Sequence, residues 1–464
     1  MKTRPLCLYA LLFSALLALP ASAQQSDTVT ASAAPASSAA SVPAAAPAAQ
    51  DNPPAQQPAA TPAPSGPTWY PFTAVSGIYM ASSDPDLGKL TGIKLFEGIH
   101  FRGWVEGYYD YNFNNPTNAV VNALSPAIVA PNETIQGRTF DVHSNSFTLN
   151  LAELEVEKIP DRGQVGFKFD IAFGDTQNIY NDTILAGCPT VVGNNPNCLS
   201  LFDKTFQQAS VSYDAPIGKG LRIDFGKFVT HIGGETIEGV KNANSSHSFF
   251  YTYAIPFQDF GLRLHYDFNA KYYNELYVLN GWNTGFGINR GKTIGYTMSY
   301  MPSPKFMVVG NYLGGPQQVN NTSNWRHLGD FQIYFNTPRF RTMTNIDVAQ
   351  EANALGAGKD VSWQGVAEVL RYRLNDHFDP SVRIEWYRDP QGFTTGTGLK
   401  NLNMMGYTLT LDTFLYSKEE SKILLRPEFR YDHTNADFFS VGRTPGLTSK
   451  AQPTVGVSII YYFD

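Results

Sequence analysis

The chain has 464 residues and a formal net charge of −6, with only 16% of residues charged and 13% aromatic. So few charges with so many aromatics exclude bulk disorder. The acidic balance argues against nucleic acid as a partner, because a phosphate-binding surface wants a basic excess. Three cysteines exclude a disulfide scaffold and a cysteine-rich metal protein.

Residues 1–23 read as a secretory signal. Lys2 and Arg4 give the positive start, Leu6 to Leu19 is apolar, and Ala21-Ser22-Ala23 supplies a small-residue cleavage site. Cleavage there removes Cys7. Residues 24–67 are mostly Ala, Pro, Ser and Gln, with Asp27 and Asp51 as the charged positions. Such a segment cannot bury enough apolar surface to offset its ordering entropy, so a disordered, semi-extended periplasmic linker is expected. Residues 68–95 form a transition segment without an assigned structure. Nothing later approaches the roughly 18–20 apolar residues of a spanning helix. A membrane location therefore requires a β-barrel, the other structure that satisfies its own backbone in lipid.

From about residue 96 the pattern has period two. Ile99, Phe101, Gly103, Val105, Gly107, Tyr109, Tyr111 and Phe113 alternate with His100, Arg102, Trp104, Glu106, Tyr108, Asp110 and Asn112. An alternation of this length is no amphipathic helix. It recurs in 165–173, 221–225, 262–268, 294–300, 331–335 and 423–431. Short turns around 159–162, 215–218, 269–271, 302–304, 337–338, 375–377 and 417–420 are separated by longer connections. These longer ones fall near 114–143, 176–203, 231–257, 284–290, 315–326, 351–360, 390–399 and 434–451. The alternation predicts an all-β, antiparallel, up-and-down transmembrane barrel of about sixteen strands over 96–464, with short periplasmic turns and long extracellular loops. At the end, Val455, Val457, Ile459, Tyr461 and Phe463 alternate toward Asp464. This resembles the C-terminal strand that outer-membrane assembly machinery recognises. A soluble β-sandwich is the competing fold, but its exposed faces would carry more charge.

A run from Asn145 to Lys158 (NSFTLNLAELEVEK) precedes Val165-Gly166-Phe167-Lys168-Phe169-Asp170. Then follow Asp224-Phe225-Gly226-Lys227-Phe228, Gly233-Gly234-Glu235, Ser246-His247-Ser248-Phe249-Phe250, Ile255-Pro256-Phe257 and Gly261-Leu262-Arg263. This order resembles the OmpL-like outer-membrane β-barrel porin family. The resemblance covers most of 96–464 and implies a Gram-negative outer-membrane channel without catalytic residues.

If the apolar faces meet lipid, the opposite faces line the lumen. That places Arg102, Glu106, Asp110, Lys168, Asp170, Arg222, Asp224, Arg263, His265, Asp267, Arg339, Arg341, Arg383, Glu385, Arg426, Glu428 and Arg430 inside. Charges of both signs suit a water-filled pore, and they would equally serve as cross-strand ladders. A lumen of this size is too wide for side chains alone to fill, so a narrowing element is expected. The third outside loop, 231–257, carries His231, Glu235, Glu238, Lys241 and His247, followed by Phe249-Phe250-Tyr251-Thr252-Tyr253. General porins fold their third loop inward, and that resemblance makes this loop the expected constriction, with Glu235 and Glu238 facing an arginine-rich wall. A loop packed outside on the rim is the alternative.

Cys188 and Cys198 fall in the second outside loop, where an oxidising exterior favours a disulfide. A metal site is disfavoured by the spacing and the lack of nearby His. Gly291-Lys292-Thr293 ends like a phosphate loop, but the position of the required upstream glycine is Phe286. No enzyme, cofactor or metal is expected. The reading is a passive channel for small hydrophilic solutes or ions, surrounded by outer-membrane lipid and lipopolysaccharide. A homo-oligomer is supported by analogy alone. The runner-up is a barrel with an adhesion or envelope-structural role.

Overall fold

A computed structural model describes residues 86–116, 135–182, 205–418, 421–442 and 446–463. The signal sequence, the linker, residues 68–85 and the Cys188–Cys198 pair lie outside the described residues. Just before the first strand, Asp86 caps the short helix α1 (Leu87–Thr91) by accepting from the Lys89 amide at 3.1 Å. Gly92 ends that helix at φ 72°, a left-handed conformation that favours glycine.

Period-two sequence becomes strand throughout. The first half comprises β1 (Ile99–Asn112), β2 (Ser146–Lys158), β3 (Val165–Phe173), β4 (Phe206–Ala215), β5 (Leu221–Val229), β6 (Gln258–Asn269), β7 (Tyr272–Leu279) and β8 (Thr293–Ser303). Next come β9 (Phe306–Pro316), β10 (Trp325–Asn336), β11 (Phe340–Glu351), β12 (Val361–Tyr372), β13 (Phe378–Asp389), β14 (Leu402–Lys418) and β15 (Ser421–Thr434). A two-stranded hairpin, β16 (Phe439–Ser440) and β17 (Thr448–Ser449), intervenes before the last strand, β18 (Ala451–Phe463). Each barrel strand pairs antiparallel with its neighbours, and β18 pairs with both β15 and β1. Tyr109 faces Val457 across this closing seam. Sixteen strands thus close without a free edge, which is the condition for a backbone to exist in lipid.

One rim carries short turns and the other long connections, numbered here loops 1 to 8. Loop 1 is 113–145, loop 2 is 174–205, loop 3 is 230–257 and loop 4 is 280–292. Helix α2 (Asp175–Asp182) belongs to loop 2 and α3 (Phe249–Ala254) to loop 3. The start of β1 and the end of β18 share the short-turn rim.

The two faces separate by chemistry. Along β15, Ile423, Leu425, Pro427, Phe429 and Tyr431 point outward, while Arg426, Glu428, Arg430 and Asp432 are buried inside. Outward-facing Phe268, Tyr300, Phe306, Phe335, Phe340, Tyr372 and Phe378 ring the short-turn rim. Such aromatic girdles sit at membrane–water interfaces, where their rings are amphipathic or polarisable. Glu368 is a charged exception on the outer face of β12, and its carboxylate takes the Thr344 hydroxyl of β11. Because Val457 lies outward in the middle of the closing strand, Val457→Arg is expected to destabilise the barrel by about 2–4 kcal/mol. Reversible urea unfolding from lipid vesicles measures this.

Candidate functional site

Residues that alternate with the outward apolar positions meet in the barrel interior. Arg102 and Glu106 on β1, Lys168 and Asp170 on β3, Asp224 on β5 and Arg263 on β6 are buried there. So are Arg383 and Glu385 on β13, and Arg426, Glu428 and Arg430 on β15. Asp110, Arg222, His265 and Arg341 are half-buried on the same inner face. Two positions differ from the expectation. Arg339 lies in the exposed β10–β11 turn (337–339), because β11 begins only at Phe340. The Asp267 side chain is 65% exposed toward the short-turn end of β6, pairing with His265 at 3.3 Å.

Loop 3 does not stay at the rim. It enters the barrel and is hydrogen-bonded to the wall on opposite sides. The Gly234 amide donates to Asn345 Oδ1 on β11 at 2.7 Å. Lys241 Nζ reaches Glu155 on β2 at 2.6 Å and lies 4.7 Å from the Trp104 ring centre on β1. Asn244 Nδ2 donates to Thr410 on β14 at 2.6 Å, and Ser458 of β18 to Ser245 at 3.0 Å. Trp363 Nε1 of β12 donates to the Ala254 carbonyl at 3.0 Å. Two glycines allow these close approaches. A Cβ at Gly239 would stand 2.3 Å from Glu106 Oε1, and one at Gly234 would stand 2.3 Å from Met343 Sδ.

The strongest attachment is to β13 and β15. Arg383 Nη1 donates to Glu235 Oε1 at 2.8 Å and to the Ser246 carbonyl at 2.5 Å. Arg426 donates to the carbonyls of Gly239 at 2.7 Å and Asn242 at 3.1 Å. Arg430 Nη1 donates to the His247 carbonyl at 2.5 Å. Carboxylates complete the arrangement. Glu428 accepts from the amides of Ser245 (2.7 Å) and Ser246 (3.1 Å), and Glu385 accepts from the Phe249 amide at 2.5 Å. A loop inside a barrel has no ladder of its own, so the wall supplies its missing partners.

The aromatic stretch forms α3, capped by Ser248, whose hydroxyl accepts from the Tyr251 amide at 3.0 Å. Phe249, Phe250, Tyr251 and Tyr253 are all buried. Loop 1 reaches the same place: Phe140 packs against His247 at 5.1 Å and Tyr251 at 6.0 Å between ring centres. Arg138 of loop 1 donates to Thr454 at 2.7 Å.

Glu235 and Glu238 do not share one arginine wall. Glu235 is bound to Arg383 and takes both the amide and the hydroxyl of Ser248. Glu238 faces the other way, accepting from Gln207 of β4 at 2.8 Å and pairing with Lys241 at 3.3 Å. The loop doubles back between these residues, a path that spacing along the chain does not encode. Sequence reasoning also passed over the acidic group on β10 and β11, Asp330 and Asp347 with Asn345 between their carboxylates. Their alternation within those strands was the available signal.

Residues 98–463 match the family described as "Putative beta-barrel porin-2, OmpL-like". The chain belongs to this family. Its fold is that of an outer-membrane porin-type barrel. Similar solved structures include an anion-selective porin from Comamonas acidovorans, 11% identical, TM-score 0.47, covering 79% of this chain and 99% of that one. Another is the Salmonella typhi OmpF complex with daunomycin, 10% identical, TM-score 0.46, covering 79% and 97%. In-vitro folded OmpT, an outer membrane protein of Vibrio cholerae, is 8% identical with TM-score 0.44, covering 79% and 97%. No curated protein matches the chain.

Within this family member, His247 gives loop 3 a pH dependence. Burial beside Phe140 and Tyr251 holds its imidazole below the usual 6.5, and its Nδ1 is buried without a hydrogen-bond partner. The neutral ring is therefore the form that packs. Its contribution to stability is fully present above pH 6.5 and is lost as pH falls through the depressed folded value. Amide protection factors in loop 3 are expected to drop between pH 7.5 and 5, and to stay flat in His247→Gln. Hydrogen exchange corrected for intrinsic rates measures both.

Proposed function

We propose that the barrel is a passive diffusion channel for small hydrophilic solutes or ions, with loop 3 setting its narrowest cross-section. The observation that carries this reading is the path of loop 3 through the interior, tied to β1, β2, β11, β12, β14, β15 and β18. An interior lined by charges of both signs favours water and polar solutes over apolar ones. In this reading residues 1–23 are removed on export, the short-turn rim faces the periplasm, and β18 is the strand presented to the assembly machinery. Cys188 and Cys198 close loop 2 by a disulfide.

The reading includes no catalysis. His231 has its two ring nitrogens turned to Asp259 at 3.4 Å and to the Tyr312 carbonyl at 3.2 Å. Neither is left for a serine. A barrel with an adhesion or envelope-structural role is favoured by one observation, the near-complete burial of the inner-face Arg383 and Arg426.

Liposome swelling with sugars of graded size separates the two. The native barrel is expected to pass the smallest solutes slowly, and replacing 234–247 by a Gly/Ser linker of equal length should speed uptake several-fold. Impermeability of both proteins, correctly folded, would contradict the channel reading and favour the structural one.

A further inference from the structure

The foot of loop 3 sits beside an imbalance of charge. Antiparallel pairing places Arg102 opposite Glu155, Glu155 opposite Asp170, and Glu157 opposite Lys168 on β1, β2 and β3. Glu153 lies one inward step from Glu155, and Glu238 of loop 3 adds its field to that of Asp170 and Glu155 at Glu153. The group thus holds five carboxylates (Glu153, Glu155, Glu157, Asp170 and Glu238). Its cations are Arg102, Lys168 and Lys241, joined by ion pairs to Glu155, Glu157, Asp170 and Glu238. Among the described residues these five carboxylates face three cations, a surplus of two.

The surplus coincides with oxygens that accept no hydrogen bond. Glu153 is 5% exposed, and its Oε2 is buried with no hydrogen-bond partner. Asp170 is fully buried; its Oδ2 accepts from Gln208, while its Oδ1 has no hydrogen bond and stands 3.5 Å from Lys168. Gln207, also fully buried, donates its amide to Glu153 Oε1 at 3.2 Å and to Glu238 Oε1 at 2.8 Å, leaving its own Oε1 without a partner. Uncompensated buried charge of this kind is costly unless something positive joins it.

We propose that Glu153, Glu155 and Asp170 hold one divalent cation, Ca²⁺ in preference to Mg²⁺, between β2, β3 and loop 3. One oxygen from each lies within 4.8 Å of the others. Three carboxylates within that reach can share one ion. A cage of protein carboxylates suits Ca²⁺, which takes many oxygen ligands in flexible geometry, better than Mg²⁺, which keeps its waters and demands a rigid octahedron. All donors are hard oxygens, which selects against zinc and copper. Glu155 is the weakest of the three ligands because Arg102 and Lys241 already occupy it. The ion neutralises the surplus and anchors the turn of loop 3 that carries Glu238 and Lys241.

The test uses the full mature protein refolded in detergent without lipopolysaccharide, stripped with EDTA and titrated with CaCl₂ in a calorimeter. Tb³⁺ serves as a luminescent probe, with Trp104, paired to Glu153 across β1 and β2, as its antenna. One Ca²⁺ per chain is expected, weakened about tenfold or more by Glu153→Gln and by Asp170→Asn. Binding unchanged in both variants would overturn the proposal by placing the ion elsewhere. Should the variants fail to refold, the native protein still decides: no saturable heat up to about 10 mM Ca²⁺ and no sensitised Tb³⁺ emission would overturn it. None of these readouts involves permeation, so their failure leaves the channel reading untouched.

Discussion

Three arginine side chains, Arg383, Arg426 and Arg430, carry the organisation of the interior. Each gives its guanidinium to main-chain carbonyls of loop 3. Closing sixteen strands removes every edge from lipid but leaves a lumen that strand side chains cannot fill. Whatever fills it must be chain without a ladder, whose amides and carbonyls face a region of low dielectric. Charge-assisted hydrogen bonds contribute roughly 1.5–3 kcal/mol each, enough to hold an irregular segment against its ordering entropy. Glu385 and Glu428 do the same for the loop's amides. Positive and negative wall residues are thus used in alternation along β13 and β15, each sign matched to one half of the peptide group.

This arrangement changes what the interior charges are for. Arg383 and Glu385, like Arg426, Glu428 and Arg430, belong to the inner face that period-two alternation marks. They are buried and committed to the loop rather than spread along a wide aqueous path. The counterparts on β1 to β3 are less well balanced, with carboxylates outnumbering cations around Glu153. One side of the barrel grips loop 3 through Arg383, Glu385, Arg426, Glu428 and Arg430, and the other meets it with more carboxylates than cations among the described residues.

How much of this was legible in sequence follows from the range of each interaction. The strands, their faces and the two rims depend on local alternation and turn chemistry, which the chain displays openly from Ile99 to Phe463. The inward fate of loop 3 was foreshadowed by its aromatic stretch, since Phe249, Phe250, Tyr251 and Tyr253 need burial. The path of the loop was not. Glu235 and Glu238 are three residues apart, yet one meets β13 and the other β4, and the missing Cβ at Gly234 and Gly239 leaves the backbone room against the Met343 and Glu106 side chains. Loop 1 was expected as a long connection, but its inward reach was not foreseen: Phe140 and Arg138 find their partners only through pairing between distant strands. Arg339 was misplaced by one residue, since alternation alone does not say where a turn takes over from a strand.

The central claim, that loop 3 lies inside the barrel against β13, β15 and β18, is tested most directly by a covalent staple. Ser245 of the loop and Ser458 of β18 have their hydroxyl oxygens 3.0 Å apart, close enough for a pair of cysteines. In a chain whose Cys188 and Cys198 are replaced by serine, Ser245→Cys with Ser458→Cys is expected to form a disulfide in the folded barrel. The two thiols then vanish from titration without loss of heat-modifiable mobility. Two thiols that stay titratable under oxidising conditions, in a barrel that is otherwise folded, would place the loop elsewhere and contradict the account.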